Sequence, residues 1–215
     1  SLRAGDGAFD DARDGEARLR ERRFHLFNRA QAHRLVGDDA MVGLAVRALG
    51  AGLCVYIMQF MKSLAYSEQK VLQGFAPQLA LYTTGKPFFI AKEGMLTEEE
   101  RAAWGEDVVV FPEGEPPADY LQLMQDGFAK AAAAARSGAW DVVILDELNV
   151  ALFFELISRE AVESLLNDLP PEREVVLTGR NAPDWLIARA DLVTEMREVR
   201  HYYAKGVAAR KGIEN

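Results

Sequence analysis

Short apolar runs alternate with amphipathic segments along most of the chain. Apolar runs rich in Val, Ile, Leu and aromatic residues are typical of buried strands. They predict strands at Phe24–Asn28, Leu53–Phe60, Leu79–Thr83, Asp141–Leu145, Val175–Thr178 and Asp191–Thr194. The segments between them predict helices at Met41–Leu49, Tyr66–Leu72, Thr97–Trp104, Leu121–Arg136, Arg159–Asn167 and Pro183–Arg189. Alternating strands and helices form βαβ units, so the sequence predicts a single α/β domain with a mostly parallel sheet flanked by helices.

Two segments do not follow this alternation. Residues 1–23 are rich in charged residues, glycine and aspartate, which predicts a flexible or helical arm before an α/β domain at residues 24–215. Val108–Tyr120 is rich in proline and acidic residues and is predicted to be a surface loop.

Composition narrows the possible functions. The chain has 215 residues and a formal net charge of −8, which argues against broad binding to nucleic acid or anionic membranes. The single cysteine, Cys54, lies in an apolar run and is interpreted as a buried small residue. The sequence has no apolar run that could span a bilayer and no signal-peptide pattern, so we expect a cytoplasmic protein.

The chemically most informative stretch is VVILDELNVAL, at residues 142–152. Its strand ends in Asp146 and Glu147, and ligands of parallel sheets bind at the carboxyl ends of the strands. Carboxylates at that edge commonly hold Mg²⁺ beside a phosphate chain. The alternative is an acidic helix start, since Asp and Glu also favour a helix N-terminus. The stretch alone leaves both interpretations open.

An ordered set of motifs extends the argument. LDELN is followed by LTGR, ADLVTEM, a basic stretch after His201, and a closing KGIE. This set resembles the ATP:corrinoid adenosyltransferase family of P-loop type, from about Met41 to the C-terminus. The resemblance implies a P-loop NTPase or RecA-like fold, and a transferase that moves the 5′-deoxyadenosyl group of ATP to the Co(I) of a corrinoid in cobalamin biosynthesis or salvage.

The phosphate loop departs from the family pattern GxxxxGK[ST]. The loop should fall on Ala32–Asp39, where Gly37 replaces the lysine and Asp38 and Asp39 replace the hydroxyl residues. At about 4 Å and an effective dielectric near 20, one such carboxylate would repel a phosphate by roughly 4 kcal/mol. The favoured interpretation is a helix N-cap at these residues. The alternative function is therefore a non-catalytic corrinoid-binding relative that has lost ATP binding. A third explanation is an error in the sequence that replaced a normal loop.

The resemblance also implies a set of site residues. It places Asp146 and Glu147 in Mg²⁺ handling. It implies nucleotide contacts at the loop and the sheet edge: Gly37, Asp38, Asp39, Arg47, Gln59, Lys62, Thr178, Gly179 and Arg180. Without the resemblance, Arg47 and Lys62 would be interpreted as ordinary surface charges, and Thr178–Arg180 as a turn.

The corrinoid side is implied by aromatic residues after the third strand. Phe88 and Phe89 are the candidates for pressing on the lower face of the corrin. Such a contact favours a four-coordinate cobalt that is easier to reduce. The alternative is a core position, since paired phenylalanines are also common in cores. His201 is the third candidate for corrinoid binding. The implied substrates are ATP and cobalamin or another corrinoid, with Mg²⁺ as cofactor. The implied partners are a second copy of the chain in a homodimer and a reductase that supplies electrons.

Overall fold

The structure is a computed structural model, and it describes residues 23–29, 37–63, 66–197, 199–200, 202–207, 210 and 212. Its strands are β1 (Arg23–Arg29), β2 (Val55–Phe60), β3 (Leu79–Thr84), β4 (Phe89–Lys92), β5 (Val108–Phe111), β6 (Val142–Asp146), β7 (Glu174–Leu177) and β8 (Leu192–Met196). Its α-helices are α1 (Gly37–Gly50), α2 (Ser67–Leu72), α3 (Glu98–Trp104), α4 (Ala118–Arg136), α5 (Leu148–Phe153), α6 (Arg159–Asn167) and α7 (Asp184–Arg189). Short 3₁₀ turns cover Gln73–Phe75, Gly105–Asp107 and Tyr202–Lys205.

Six strands form one parallel sheet in the order β3-β2-β6-β7-β1-β8. The strand β7 therefore lies between β1 and the strand that ends at Asp146. The register pairs Asp146 with Gln59 on β2, and Leu145 with Leu177 on β7. Thr178, the residue after Leu177, consequently comes out beside Asp146 at the carboxyl edge of the sheet.

The two faces of the sheet are buried by different helices, and the strands alternate accordingly. Val55, Ile57 and Ile144 pack with apolar residues of α1 on one face. Tyr56 and Leu145 point to the other face, where α4 covers the sheet. Burial on both faces explains why the sequences of these strands are continuous apolar runs. The predicted α/β fold with a parallel sheet and flanking helices is confirmed.

A second, two-stranded parallel sheet joins β4 to β5. The prediction of a surface loop over Val108–Tyr120 was wrong at both ends, because Val108–Phe111 is a strand and α4 begins at Ala118. The reason is that the apolar start of the segment pairs with β4, and Phe111 is buried with its ring 6.1 Å from that of Phe154. Only the proline-rich middle stays irregular.

The beginning of the chain is only partly described. The predicted arm lies outside the described residues except for Arg23, which opens β1. The family's phosphate loop was predicted at Ala32–Asp39, of which residues 32–36 also lie outside them, while Gly37, Asp38 and Asp39 form the first turn of α1. Among the described residues, none of the helices is both long and apolar enough to cross a lipid bilayer.

Candidate functional site

The carboxylate of Asp146 is the centre of a buried polar network at the carboxyl edge of the sheet. Its side chain is fully buried at the end of β6. The ammonium of Lys62 donates to Oδ2 at 2.8 Å, and the amide Nε2 of Gln59 donates to the same oxygen at 3.0 Å. The hydroxyl of Thr178 donates to Oδ1 at 2.6 Å. The ends of two strands, β2 and β7, therefore supply the anion at the end of β6 with a cation and two neutral donors.

These contacts keep the Asp146 carboxyl ionised although it is buried. Burial by itself would raise its pKa, because it penalises the charged form. The charge of Lys62, followed by hydrogen bonds from Lys62, Thr178 and Gln59, outweighs burial and holds the pKa of Asp146 below its usual value. The site therefore presents a fixed ion pair and not a general acid at neutral pH.

A second buried amide, Gln69 on α2, supports this network. Its Nε2 donates to Oε1 of Gln59 at 2.7 Å and to the backbone carbonyl of Ser63 at 3.2 Å. Its Oε1 accepts from the backbone N–H of Tyr66 at 3.1 Å. Gln69 was not predicted as a site residue. It is only 2% exposed, whereas a polar residue in a short helix is ordinarily expected to face solvent.

The start of α5 is tied to the end of β7 by backbone and side-chain hydrogen bonds. Glu147 has a left-handed backbone with φ of 59°, and its N–H donates to the Thr178 hydroxyl at 3.0 Å. Asn149 is fully buried and donates from Nδ2 to the carbonyls of Phe27 and Gly179, each at 3.2 Å. Its side chain therefore links the ends of β1 and β7. Asn149 belongs to the LDELN motif, but its linking role was not predicted.

Gly179 is required at its position for two reasons. Its φ of +123° is one that residues with a Cβ rarely adopt. A Cβ there would also lie 3.1 Å from the Cβ of Asn149 and 3.2 Å from the backbone nitrogen of Val150. The positive φ agrees with the alternative interpretation of residues 178–180 as a turn, and the nucleotide contact of Gly179 stays a prediction. Arg180 follows it and is half-buried.

A cavity of about 400 Å³ opens beside Asn181, the residue that follows Arg180. The guanidinium of Arg159 lies 5.0 Å from the ring centre of Trp185 in its wall. The lining combines apolar, aromatic and polar groups: Leu152, Phe153, Glu155, Ile157, Ser158, Arg159, Asn181, Pro183 and Trp185. It is large enough for a ring-sized group but not for an entire corrinoid.

The two phenylalanines predicted to meet a corrinoid have different surroundings. Phe88 is half-buried and packs against the core, with its ring 5.8 Å from that of Tyr120. Phe89 opens β4, is 42% exposed, and meets the ring of Trp104 at 4.9 Å in an edge-to-face arrangement. An exposed aromatic wall is thus formed by Phe89 and Trp104, and Trp104 was not predicted.

The structure brings together some of the predicted site residues and not others. Gln59, Lys62, Asp146 and Thr178 touch one another, with Glu147 and Gly179 adjoining. Arg47 is exposed in the last turn of α1, about 15 Å along the helix from Gly37 at 1.5 Å per residue. His201 lies outside the described residues, and the side chains of residues 37–39 are likewise not described. The roles of these residues stay predictions.

The predicted Mg²⁺ can be tested against the donor set at the strand end. Both oxygens of Asp146 already accept from protein donors, and one of those donors is an ammonium at 2.8 Å. Within the described part of the chain, no group of three or more His, Cys, Asp or Glu side chains could hold a metal ion. Asp146 therefore does not fit a direct Mg²⁺ ligand. A Mg²⁺ ion bound through Glu147 stays a prediction.

The parallel sheet flanked by helices, with an acidic strand end at its carboxyl edge, defines an α/β protein whose ligands are expected at that edge. Comparison with known proteins identifies the family. The sequence profile of ATP:corrinoid adenosyltransferase BtuR/CobO/CobP matches residues 38–215. The chain is 30% identical over 180 residues to a corrinoid adenosyltransferase of Sinorhizobium sp, covering 82% of this chain and 74% of that protein.

Two further relatives agree. A corrinoid adenosyltransferase of Pseudomonas aeruginosa is 30% identical over 185 residues, covering 82% of this chain and 77% of that protein. One of Escherichia coli K12 is 28% identical over 176 residues, covering 81% and 78%. The chain belongs to the ATP:corrinoid adenosyltransferase family, as the ordered motifs predicted.

Proposed function

We propose that the chain transfers the 5′-deoxyadenosyl group of ATP to the Co(I) of a corrinoid in cobalamin metabolism. The observation that carries the proposal is the buried ion pair of Lys62 and Asp146 at the carboxyl edge of a parallel sheet in a member of this family. Ligands of such sheets bind at that edge, and a buried charged pair is expensive to maintain for stability alone.

The reaction forms a cobalt–carbon bond and breaks the bond between C5′ and the oxygen of the triphosphate. Co(I) supplies the electron pair of the new bond and becomes Co(III), while triphosphate leaves with the electron pair of the broken bond. Negative charge on the departing triphosphate is best stabilised by cations fixed in advance. Arg180, after the end of β7, is our first candidate for this role, and Lys62, after the end of β2, is the second.

The corrinoid is assigned to the aromatic wall of Phe89 and Trp104. An exposed aromatic pair offers an apolar face to a flat ring. Phe88 packs against Tyr120 and the core and is not part of this wall. We further propose a homodimer and an external reductase that maintains Co(I), as the family resemblance implies.

The second candidate is a corrinoid-binding protein without ATP chemistry. It is favoured by one observation, the position of Asp38 and Asp39 in the first turn of α1. Carboxylates there stabilise the helix dipole but compete with a phosphate for the same helix N-terminus. The two candidates differ in ATP binding and agree in corrinoid binding.

Titration calorimetry with MgATP, with and without reduced cobalamin, separates the two candidates. Adenosyl transfer requires ATP binding in the micromolar range and a cobalamin product whose visible spectrum changes with time. Cobalamin binding without ATP binding would support the second candidate. Phe89→Ala should weaken cobalamin binding about tenfold without affecting ATP, whereas the half-buried Phe88→Leu serves as a matched control with little effect. Equal losses from both variants would remove the aromatic wall from the proposal.

A further inference from the structure

We infer that Gln69 is a positioning residue, which orients Gln59 and the Lys62 turn so that both donate to Asp146. The inference rests on the proposed function, because it concerns the same sheet edge. Gln69 lies on α2, which belongs to none of the strands that form the site. It is 2% exposed and donates to Gln59, which is one of the three donors to Asp146.

The orientation of the Gln69 and Gln59 amides follows from the backbone N–H of Tyr66, which can donate a hydrogen bond but cannot accept one. The backbone N–H of Tyr66 donates to Gln69, so the oxygen of the Gln69 amide must face Tyr66. Its NH₂ group must then face Gln59, which turns the oxygen of Gln59 towards Gln69. The NH₂ group of Gln59 is left to face Asp146, at 3.0 Å. The reverse orientation would set the Gln59 carbonyl against a carboxylate.

The same side chain closes the turn that carries Lys62. Gln69 donates to the carbonyl of Ser63 and accepts from the N–H of Tyr66, so it spans the segment directly after Lys62. Lys62 is 8% exposed and reaches Asp146 from this turn. Both donors to the Oδ2 atom of Asp146 thus depend on one amide.

A purely local role accounts for only part of these contacts. Gln69 is the third residue of α2 and forms a capping box with Tyr66, which explains the bond to the Tyr66 N–H. Helix capping does not require the bonds to Gln59 and Ser63. Glutamate caps a helix as well as glutamine does, so Gln69→Glu keeps the cap and changes only the groups offered to Gln59 and Ser63.

Gln69→Glu therefore separates positioning from helix capping. A carboxylate offers no NH₂, so the NH₂ group of Gln59, which faces Asp146 in the wild type, is also drawn towards the new carboxylate. Since hydrogen bonds to charged groups are among the strong ones, we expect ATP affinity to fall about 10- to 100-fold. The urea midpoint should fall as well, because the new carboxylate is an uncompensated buried charge, so affinities are compared between folded proteins. Lys70→Ala, the exposed neighbour on α2, is the control and should leave both unchanged.

The decisive test is a double-mutant cycle on the full chain with calorimetric ATP titration. In a Gln59→Leu background, Gln69→Glu should change ATP affinity at least about threefold less than in the wild type, because no amide remains to be turned and only the bond to Ser63 is lost. An equal loss in both backgrounds, or a single variant with unchanged ATP affinity, would overturn the positioning role.

A second measurement needs no nucleotide, so it distinguishes failure of this inference from failure of the proposed function. In ¹⁵N-edited NMR spectra, NOEs of the Gln59 NH₂ protons should move from β6 neighbours to α2 neighbours in Gln69→Glu. Unmoved NOEs would refute the positioning. Moved NOEs in a protein that binds no ATP would refute only the proposed function.

Discussion

Replacing Lys62 with methionine tests the ion pair at the centre of the site. Methionine retains the unbranched apolar stem and removes the ammonium that lies 2.8 Å from Asp146. Asp146 is fully buried and would keep only the donors Gln59 and Thr178. Removing one partner of a buried pair typically costs about 3–5 kcal/mol, because an uncompensated charge remains. For a domain of ordinary stability, about 5–15 kcal/mol, the loss is a large fraction of the total.

The pH dependence gives this loss a distinctive sign. In the wild type the pKa of folded Asp146 lies below its unfolded value, so its ionisation stabilises the fold at pH values above the unfolded pKa. This contribution disappears as the pH falls through the folded pKa. In Lys62→Met burial dominates and raises the folded pKa, so the variant is penalised mainly above that value. The difference between the two proteins should narrow as the pH falls from neutral towards about 4.

Urea unfolding at several pH values measures both effects. The double variant Lys62→Met with Asp146→Asn removes the charge left behind, so it should recover stability relative to Lys62→Met alone, with a coupling free energy of up to about 3 kcal/mol. A loss below about 1 kcal/mol for Lys62→Met at neutral pH would show that water or rearrangement solvates Asp146. Additive single effects would contradict the direct pair.

Two other substitutions test the packing and the donors around this pair. A Cβ at residue 85 would lie 2.4 Å from the backbone carbonyl of Lys62. Gly85→Ala should therefore destabilise the fold by about 1–3 kcal/mol in urea unfolding and weaken ATP binding. Gly74→Ala is the control and should do neither, because no atom lies within 4 Å of a Cβ there. Unchanged stability of Gly85→Ala would contradict the close approach. Thr178→Val removes the donor to Asp146 and should cost about 1–3 kcal/mol by the same measurement, while Thr178→Ser retains the hydroxyl and should stay near the wild type. Unchanged stability of Thr178→Val would contradict the stabilising hydrogen bond to Asp146.

The fold was largely predictable because its main strands are buried on both faces. Such strands give uninterrupted apolar runs, and Val142–Asp146 and Glu174–Leu177 were found from them nearly at their full extent. The strands β4 and β5 were not predicted. They have four residues each, and β4 begins with an exposed phenylalanine while β5 leads into a proline-rich segment. Their pairing with each other is a tertiary effect that local sequence does not encode.

The site was predictable as far as the edge rule for parallel sheets applies. The residues that end β2 and β6 and follow β7 were expected at one edge, and Gln59, Asp146 and Thr178 meet there. The rule says nothing about which donors face a carboxylate or which polar residues are buried beneath it. Gln69 and Asn149 were missed for this reason. Gln69 is buried against Gln59 on the preceding strand, and Asn149 bonds to Phe27, which is distant in sequence.

The small sheet of β4 and β5 implies an uneven distribution of local stability. Two strands alone are marginally stable, and this pair forms a sheet of its own that is attached to the rest of the molecule by side-chain contacts, among them Lys92 to Glu155 and Phe111 to Phe154. Its backbone amides should exchange with solvent through local openings that leave the six-stranded sheet closed. The wall of Phe89 and Trp104 belongs to this less protected part, so it can adjust to a bulky ring while the ion pair at Asp146 keeps its geometry.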